Sequence, residues 1–130
     1  MDEKFLGKQG IVELHGCPFS KLNDKNFLRE QMLQAARISR ATIVCEVFHS
    51  FNPHGLSGVV VIAESHFAIH TWSEYGCASI DIFSCGELDV EAAIEFLKEV
   101  LRCMHAEVKV FQRGRLSGPL FVTTAPEISA

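Results

Sequence analysis

The sequence lacks the long apolar run, roughly 20 residues, that a membrane-spanning helix needs. Its first four residues, Met1 to Lys4, include charges of both signs and no apolar signal core. It also lacks any cluster of basic residues, and 12 Lys and Arg against 16 Asp and Glu give a formal net charge of −4. We therefore expect neither a membrane nor a nucleic-acid partner, and a cytoplasmic protein.

Cys-x-x-Cys pairs are also missing, so the pattern indicates neither a zinc ribbon nor a thioredoxin-type redox site. In a reducing cytoplasm every cysteine is expected to be a free thiol. Except for Cys85, each is expected to be a small buried apolar residue. The five cysteines are Cys17, Cys45, Cys77, Cys85 and Cys103.

What the sequence does have is enough apolar residues for one packed domain over 1–130, since 48% are hydrophobic and 22% charged. Alternation of apolar and polar residues, with many β-branched side chains, predicts six strands. They cover about 10–15, 41–48, 57–63, 66–72, 77–83 and 107–112, and 119–124 is a weaker candidate for a short edge strand.

Two stretches have the 3.6-residue period of amphipathic helices. The first follows a capping Asn23 or Asp24 and ends near Ser39, and the second follows a capping Asp89 and keeps its apolar face as far as Met104. The predicted fold is α+β, a two-layer sandwich in which two helices cover one face of a mostly antiparallel sheet.

The centre of the chain is unusual because Glu64, Ser65 and His66 interrupt an apolar run. Polar groups in such a place must be hydrogen-bonded or take part in chemistry. His66 and His70 could suggest a metal site, but four residues along a strand separate their Cα atoms by about 13 Å. That is too far for two ligands of one zinc ion, so no metal is expected.

Strand alternation puts His70 and Trp72 on one face, and puts Cys77 and Cys85 on one face of the following strand. A sheet can thereby bring His70 close to Cys85, which together with a serine gives a nucleophile, a base and a proton donor. From these residues alone the alternative stays open. A histidine in a strand is more often a satisfied core or interface residue than a catalyst.

The stretch 48–86 resembles the prokaryotic S-adenosylmethionine decarboxylases, a family of self-processing pyruvoyl enzymes, and the likeness covers most of 10–114. Three of its motifs are specific at these spacings: Glu-Ser-His at 64–66, His-Thr-Trp-x-Glu-Tyr-Gly at 70–76 and Phe-x-Cys-Gly at 83–86. The stretches Phe-His-Ser-Phe at 48–51 and Gly-Leu-Ser-Gly at 55–58 also match.

The resemblance implies that the chain cuts itself between Glu64 and Ser65 into fragments 1–64 and 65–130. The Ser65 hydroxyl is then the nucleophile, and its residue becomes the pyruvoyl group that forms a Schiff base with the substrate. By the same resemblance His70 is the proton acceptor during cleavage, and Ser57 binds the oxyanion.

The resemblance also implies that Cys85 donates the proton after decarboxylation, that Glu74 binds the ribose and that Phe51 stacks on adenine. The cofactor is the self-derived pyruvoyl group, with neither pyridoxal phosphate nor a metal. The expected assembly is a homodimer of processed chains with the active site near the subunit contact.

Two positions depart from the pattern that we associate with the family. Ser73 stands where a proline commonly follows the tryptophan, and Cys77 where a tyrosine commonly follows the glycine. Both flank Glu74, so an arginine or ornithine decarboxylase on the same scaffold is the alternative to an enzyme acting on S-adenosylmethionine. A non-catalytic homologue is a further alternative.

Overall fold

Alternating apolar side chains build a single antiparallel sheet in the computed structural model, which describes residues 4–116. The sheet order is β2-β3-β4-β5-β1-β6, and each neighbouring pair of strands is antiparallel. The strands are β1 (Lys4–His15), β2 (Ile43–Ser50), β3 (Leu56–Ile62), β4 (Ser65–Trp72), β5 (Cys77–Ser84) and β6 (His105–Leu116).

The two predicted helices are present as α2 (Lys25–Ile38) and α3 (Val90–Val100). Their predicted caps are confirmed, because carboxylates of Asp24 and Asp89 each accept a backbone N–H three residues further on, both at 3.0 Å. A short helix α1 (Phe19–Leu22), which the sequence analysis did not predict, precedes α2. No helix within 4–116 combines the length and apolar character needed to cross a membrane.

The core lies between one face of the sheet and the helices. Side chains at alternate strand positions point into it and are essentially inaccessible to solvent: Val12, Leu14, Val60, Phe67, Ile69, Ile80 and Ile82. The helices contribute Leu28, Met32, Ala35, Ala36, Ile94 and Leu97. The predicted two-layer α+β fold is confirmed.

The opposite face of the sheet is not covered by any helix of the described residues. Val47 and Val61 on this uncovered face are 64% and 37% exposed. Cys45 also lies there, on the edge strand β2, and is exposed. The expectation that Cys45 is buried is therefore wrong, because one side of its strand has no packing partner.

The outer strands are longer than predicted. Strand β1 begins at Lys4 instead of residue 10, and β6 runs to Leu116 instead of residue 112. The two pair with each other almost along their whole length, from Lys4 opposite Leu116 to His15 opposite His105. The pairing therefore extends both strands beyond the hydrophobic pattern. The edge strand proposed at 119–124 falls outside the described residues.

Helix α3 is shorter than predicted. It ends at Val100, and Arg102 takes a left-handed φ of 54°. The N–H of Met104 then donates to the carbonyl of His15 at 2.8 Å, at the start of the β6 pairing. Met104 is consequently 87% exposed and does not belong to the apolar face of α3.

Candidate functional site

The tip of the β3–β4 hairpin carries the Glu64–Ser65 bond. Ile62 pairs with Ser65, so that only Ala63 and Glu64 form the connection. Ser65 has a φ of 147°, a backbone conformation that residues other than glycine rarely adopt. Such strain is typical of functional sites and costs on the order of 1–3 kcal/mol.

The carbonyl oxygen of Glu64 is held by two donors of a single residue. The backbone N–H of Cys85 donates to it at 2.8 Å, and the Cys85 thiol donates at 3.0 Å. Gly86 comes so close that an added Cβ would lie 3.1 Å from Cγ of Glu64. Two donors on one carbonyl polarise it toward nucleophilic attack and are placed to stabilise an oxyanion there.

The Glu64 side chain fixes the tip from the other side. Its Oε1 accepts the backbone N–H of Thr42 at 3.1 Å, and the N–H of Ala63 donates to the Thr42 carbonyl at 2.8 Å. These bonds connect the hairpin tip to the residues just before β2. The bond between Glu64 and Ser65 is thus anchored on both of its flanks.

A second group of polar residues lies on the uncovered face of the sheet. Ser57 of β3 and His70 of β4 are paired directly across the two strands, and Ser57 Oγ lies 2.8 Å from His70 Nδ1. An imidazole and a hydroxyl in this contact form a unit that can accept and deliver a proton.

The Ser57–His70 pair opens into a cleft of about 350 Å³. The cleft contains the two residues predicted to bind substrate, Phe51 and Glu74, together with His54 and Trp72. His54 Nε2 lies 3.4 Å from Glu74 Oε1. This volume falls in the range of sites for small molecules.

These two groups lie at opposite ends of β4. His70 pairs with Ser79 of β5, whereas Ser65 pairs with Ser84, next to Cys85. Five residues of strand separate Ser65 from His70 by about 16 Å. The sheet could have brought His70 close to Cys85, but within one chain it does not, because the antiparallel register puts them at opposite ends of β4 and β5.

Two features of the site were missed from the sequence. The N–H of Cys85 bonded to the Glu64 carbonyl depends on a backbone approach that leaves no trace in residue types. His54 sits in a segment that the sequence marks only as a turn, yet the fold sets it against Glu74.

The cysteines differ in their surroundings, although all five are free thiols. Cys17 is the buried one, and this burial raises its pKa to about 11, with smaller contributions from the nearby thiols of Cys103 and Cys77. Cys85 is exposed, which suits a thiol that exchanges protons with a bound molecule.

A solved structure shares this fold. The crystal structure of the adenosylmethionine decarboxylase from Aquifex aeolicus VF5 superposes with a TM-score of 0.81 and 30% sequence identity. The match covers 92% of this chain and 99% of that one. The arrangement of one sheet and its helices is therefore that of a solved adenosylmethionine decarboxylase.

Sequence comparison gives the same answer. The profile of the family described as S-adenosylmethionine decarboxylase matches residues 8–114. A relative from Pseudomonas paraeruginosa (strain DSM 24068 / PA7) is 48% identical over 110 residues, which are 84% of this chain and 69% of the relative. One from Thermotoga petrophila is 47% identical over 113 residues, 86% of this chain and 87% of the relative. Both relatives are named S-adenosylmethionine decarboxylase proenzyme. The chain belongs to the S-adenosylmethionine decarboxylase family.

Proposed function

We propose that this chain cuts itself between Glu64 and Ser65 and then decarboxylates S-adenosylmethionine, the product serving as aminopropyl donor for spermidine synthesis. The observation that carries the proposal is the Glu64 carbonyl, held by the N–H and thiol of Cys85 beside a strained Ser65. The proenzyme names of the relatives support cleavage and favour S-adenosylmethionine over the arginine or ornithine alternative.

Cleavage follows from the groups around the hairpin tip. The Ser65 hydroxyl attacks the carbonyl carbon of Glu64, and the amide becomes an ester when the C–N bond breaks. A base then removes the Cα proton of Ser65, and β-elimination breaks the Cβ–Oγ bond. The fragment 1–64 leaves with a carboxylate at Glu64, and residue 65 is left as dehydroalanine. Hydrolysis with loss of ammonia converts that residue to a pyruvoyl group.

In this proposal the base, His70, comes from a second copy of the chain. His70 is the predicted proton acceptor, but it is about 16 Å from Ser65 of its own chain. His70 and Ser57 lie on the uncovered face, where exposed valines such as Val47 favour packing against another sheet. A homodimer in which two such faces stack can supply His70 and Ser57 to the partner's hairpin tip.

A two-fold axis between the sheets, perpendicular to the strands, gives this arrangement. It reverses the strand direction, so the Ser65 end of one sheet lies over the His70 end of the other. Each Glu64–Ser65 bond then meets a Ser57–His70 pair and the cleft that contains Phe51. The dimer has two such composite sites.

The residues around Ser65 fit a pyruvoyl group. Its carbonyl supplies an electron sink for the loss of carbon dioxide from the bound amino acid. Residue 65 ends up next to the Cys85 thiol, which is exposed and is positioned to return a proton to the substrate. Phe51 stacks on the adenine and Glu74 accepts hydrogen bonds from the ribose hydroxyls in the cleft.

The free thiols agree with a cytoplasmic location, since a reducing compartment keeps them unpaired. S-Adenosylmethionine is also positively charged at its sulfonium, which suits a cleft that contains the Glu74 carboxylate.

The direct test is the intact mass of the purified protein under denaturing and reducing conditions. We expect two fragments, 1–64 and 65–130, and a blocked amino terminus on the second. Ser65→Ala should remain one chain without decarboxylase activity, whereas the control Ser50→Ala, at the exposed end of β2, should be cut normally. A wild-type chain that stays whole and inactive, or a Ser65→Ala chain that is cut, contradicts the proposal.

A further inference from the structure

The substrate cleft has two walls, and one side chain holds both. The first wall is the loop 51–55 and the second is the 3₁₀ turn Ser73–Tyr75. Oδ1 of Asn23, between α1 and α2, accepts the backbone N–H of Gly55 at 3.0 Å and the Ser73 hydroxyl at 3.2 Å. Asn23 therefore forms hydrogen bonds with both walls of the cleft.

The Ser73 hydroxyl is buried and depends on Asn23 for its hydrogen bond. It is 2% exposed, and a hydroxyl that is buried without a partner costs roughly 1–3 kcal/mol. The neighbouring strand residue is tied to the same place, because Thr71 Oγ1 accepts the N–H of Leu56 at 2.9 Å and donates to the carbonyl of Leu22 at 3.0 Å. The junction between α1 and α2 is therefore a fixed support for both walls.

Asn23 bonds to Gly55 and Ser73, and each of these is next in sequence to a residue whose side chain faces the cleft. Gly55 follows His54, and Ser73 precedes Glu74; these side chains approach to 3.4 Å. Fixing the two adjoining residues therefore fixes the separation of His54 and Glu74. A carboxylate that binds ribose hydroxyls has to be placed within a few tenths of an ångström to make good hydrogen bonds.

Ser73 is also one of the two positions where this chain departs from the family pattern. A proline there locks φ near −65° without any partner. A serine has no such restriction, but its hydroxyl reaches Asn23. The hydrogen bond to Asn23 thus restricts the backbone at residue 73, as the ring of a proline would do through its covalent structure.

We propose that Asn23 and Ser73 are positioning residues that hold Glu74 and His54 in register for the nucleoside part of the substrate. This inference rests on the proposed function. Neither residue touches the reacting atoms, so both should act on substrate affinity and leave self-cleavage and proton transfer unchanged.

Ser73→Ala is the first variant to measure. We expect KM for S-adenosylmethionine to rise about fivefold, the effect of one lost hydrogen bond, with kcat and the cleavage rate within twofold of wild type. Ser73→Pro should restore KM, because Trp72, with φ −115° and ψ 84°, lies outside the α region that a following proline disfavours. Asn23→Ala should raise KM more than Ser73→Ala, and Asn23→Asp, which keeps the acceptor, should recover most of the loss.

A second measurement removes turnover from the comparison. 5′-Methylthioadenosine has the adenine and ribose but no carboxylate to lose. Its Kd, measured by calorimetry, should rise in Ser73→Ala, rise further in Asn23→Ala, and return toward the wild-type value in Ser73→Pro and Asn23→Asp. Ser50→Ala serves as control and should leave both constants unchanged.

The outcomes separate this inference from the proposed function. A wild-type chain that does not cut itself, but whose affinity for 5′-methylthioadenosine falls with Ser73→Ala, overturns the function and supports the positioning role. Wild-type activity with KM and Kd unchanged in Ser73→Ala overturns the positioning role alone. Loss of kcat, cleavage and thermal stability together in Ser73→Ala also overturns it, as does a wild type that does not bind the probe.

Discussion

Cys85 donates twice to one atom of Glu64: its backbone N–H and its thiol lie 2.8 and 3.0 Å from the same carbonyl oxygen. The two donors differ in what a substitution removes. The N–H remains whatever the side chain is, whereas the proton of the thiol goes with the sulfur. Cleavage and decarboxylation are therefore separable at this residue.

Replacing the Cys85 thiol should slow decarboxylation more than it slows self-cleavage. Cys85→Ala keeps the N–H on the Glu64 carbonyl, so the chain should still be cut, although more slowly. Decarboxylation should fall by about 10²-fold or more because the general acid is gone. Fragment masses report the cleavage, and release of labelled carbon dioxide reports the turnover.

Two comparisons sharpen this prediction. Cys85→Ser retains a donor to Glu64 and should be cut at nearly the wild-type rate while remaining a poor decarboxylase. Cys45→Ala removes an exposed thiol on the edge strand and should affect neither reaction. If Cys85→Ala decarboxylates as fast as wild type, another group delivers the proton.

Complementation between two inactive variants tests the composite site. Ser65→Ala lacks the nucleophile and His70→Ala lacks the base, so each alone should stay uncut. When the two are mixed under conditions of subunit exchange, the His70→Ala chains should be cut, because a Ser65→Ala partner supplies its intact His70. Fragments that derive from the His70→Ala chain are identified by mass.

The matched negative control is a mixture of His70→Ala with the double variant Ser65→Ala/His70→Ala, in which no chain has the base. Light scattering should show dimers in every sample. Cleavage of dimer-free, dilute wild-type chain at the full rate would argue for a site within one chain.

Burial of Cys17 predicts a loss of stability in alkali. The thiol has an ordinary pKa of 9.0, which the fold raises to about 11. Below pH 9 the thiol is protonated in both states, so its contribution to the free energy of unfolding is complete. Between pH 9 and 11 the unfolded chain ionises first, and stability should fall by about 1.4 kcal/mol per pH unit from this group.

Denaturant unfolding at a series of pH values measures the effect. Cys17→Ala should show a shallower decline than wild type above pH 9, whereas Cys45→Ser should decline in parallel with wild type. Equal slopes for wild type and Cys17→Ala would show that the Cys17 thiol does not titrate as its burial requires.

Sequence patterns predicted the local parts of this fold because those parts depend on neighbouring residues. The Asp24 and Asp89 caps, the buried stripe of α2 and the alternation of β4 all follow from residues a few positions apart. The strand ends did not follow, since Lys4 and Leu116 are in strands only because they pair with each other. A contact across more than a hundred residues leaves no local pattern.

The candidate site was likewise predictable only in part. The motifs single out its residues, but the division into two groups comes from the structure, with Phe51, Ser57, His70 and Glu74 in one cleft and Glu64, Ser65 and Cys85 at one hairpin tip. The distance between the two groups could not be read from the motifs. It depends on the register that sets His70 against Ser79 and Ser65 against Ser84.

The sheet order has one consequence for a chain that cuts itself. A break after Glu64 leaves β1, β2 and β3 on the first fragment and β4, β5 and β6 on the second. In the sheet, however, β1 lies between β5 and β6, and β3 lies against β4. The fragments are therefore interlaced, and neither can leave without opening ladders on both sides of β1. If the chain is cut there, the two unfolded fragments have to meet by diffusion before they can refold, and a unimolecular folding reaction becomes a bimolecular one.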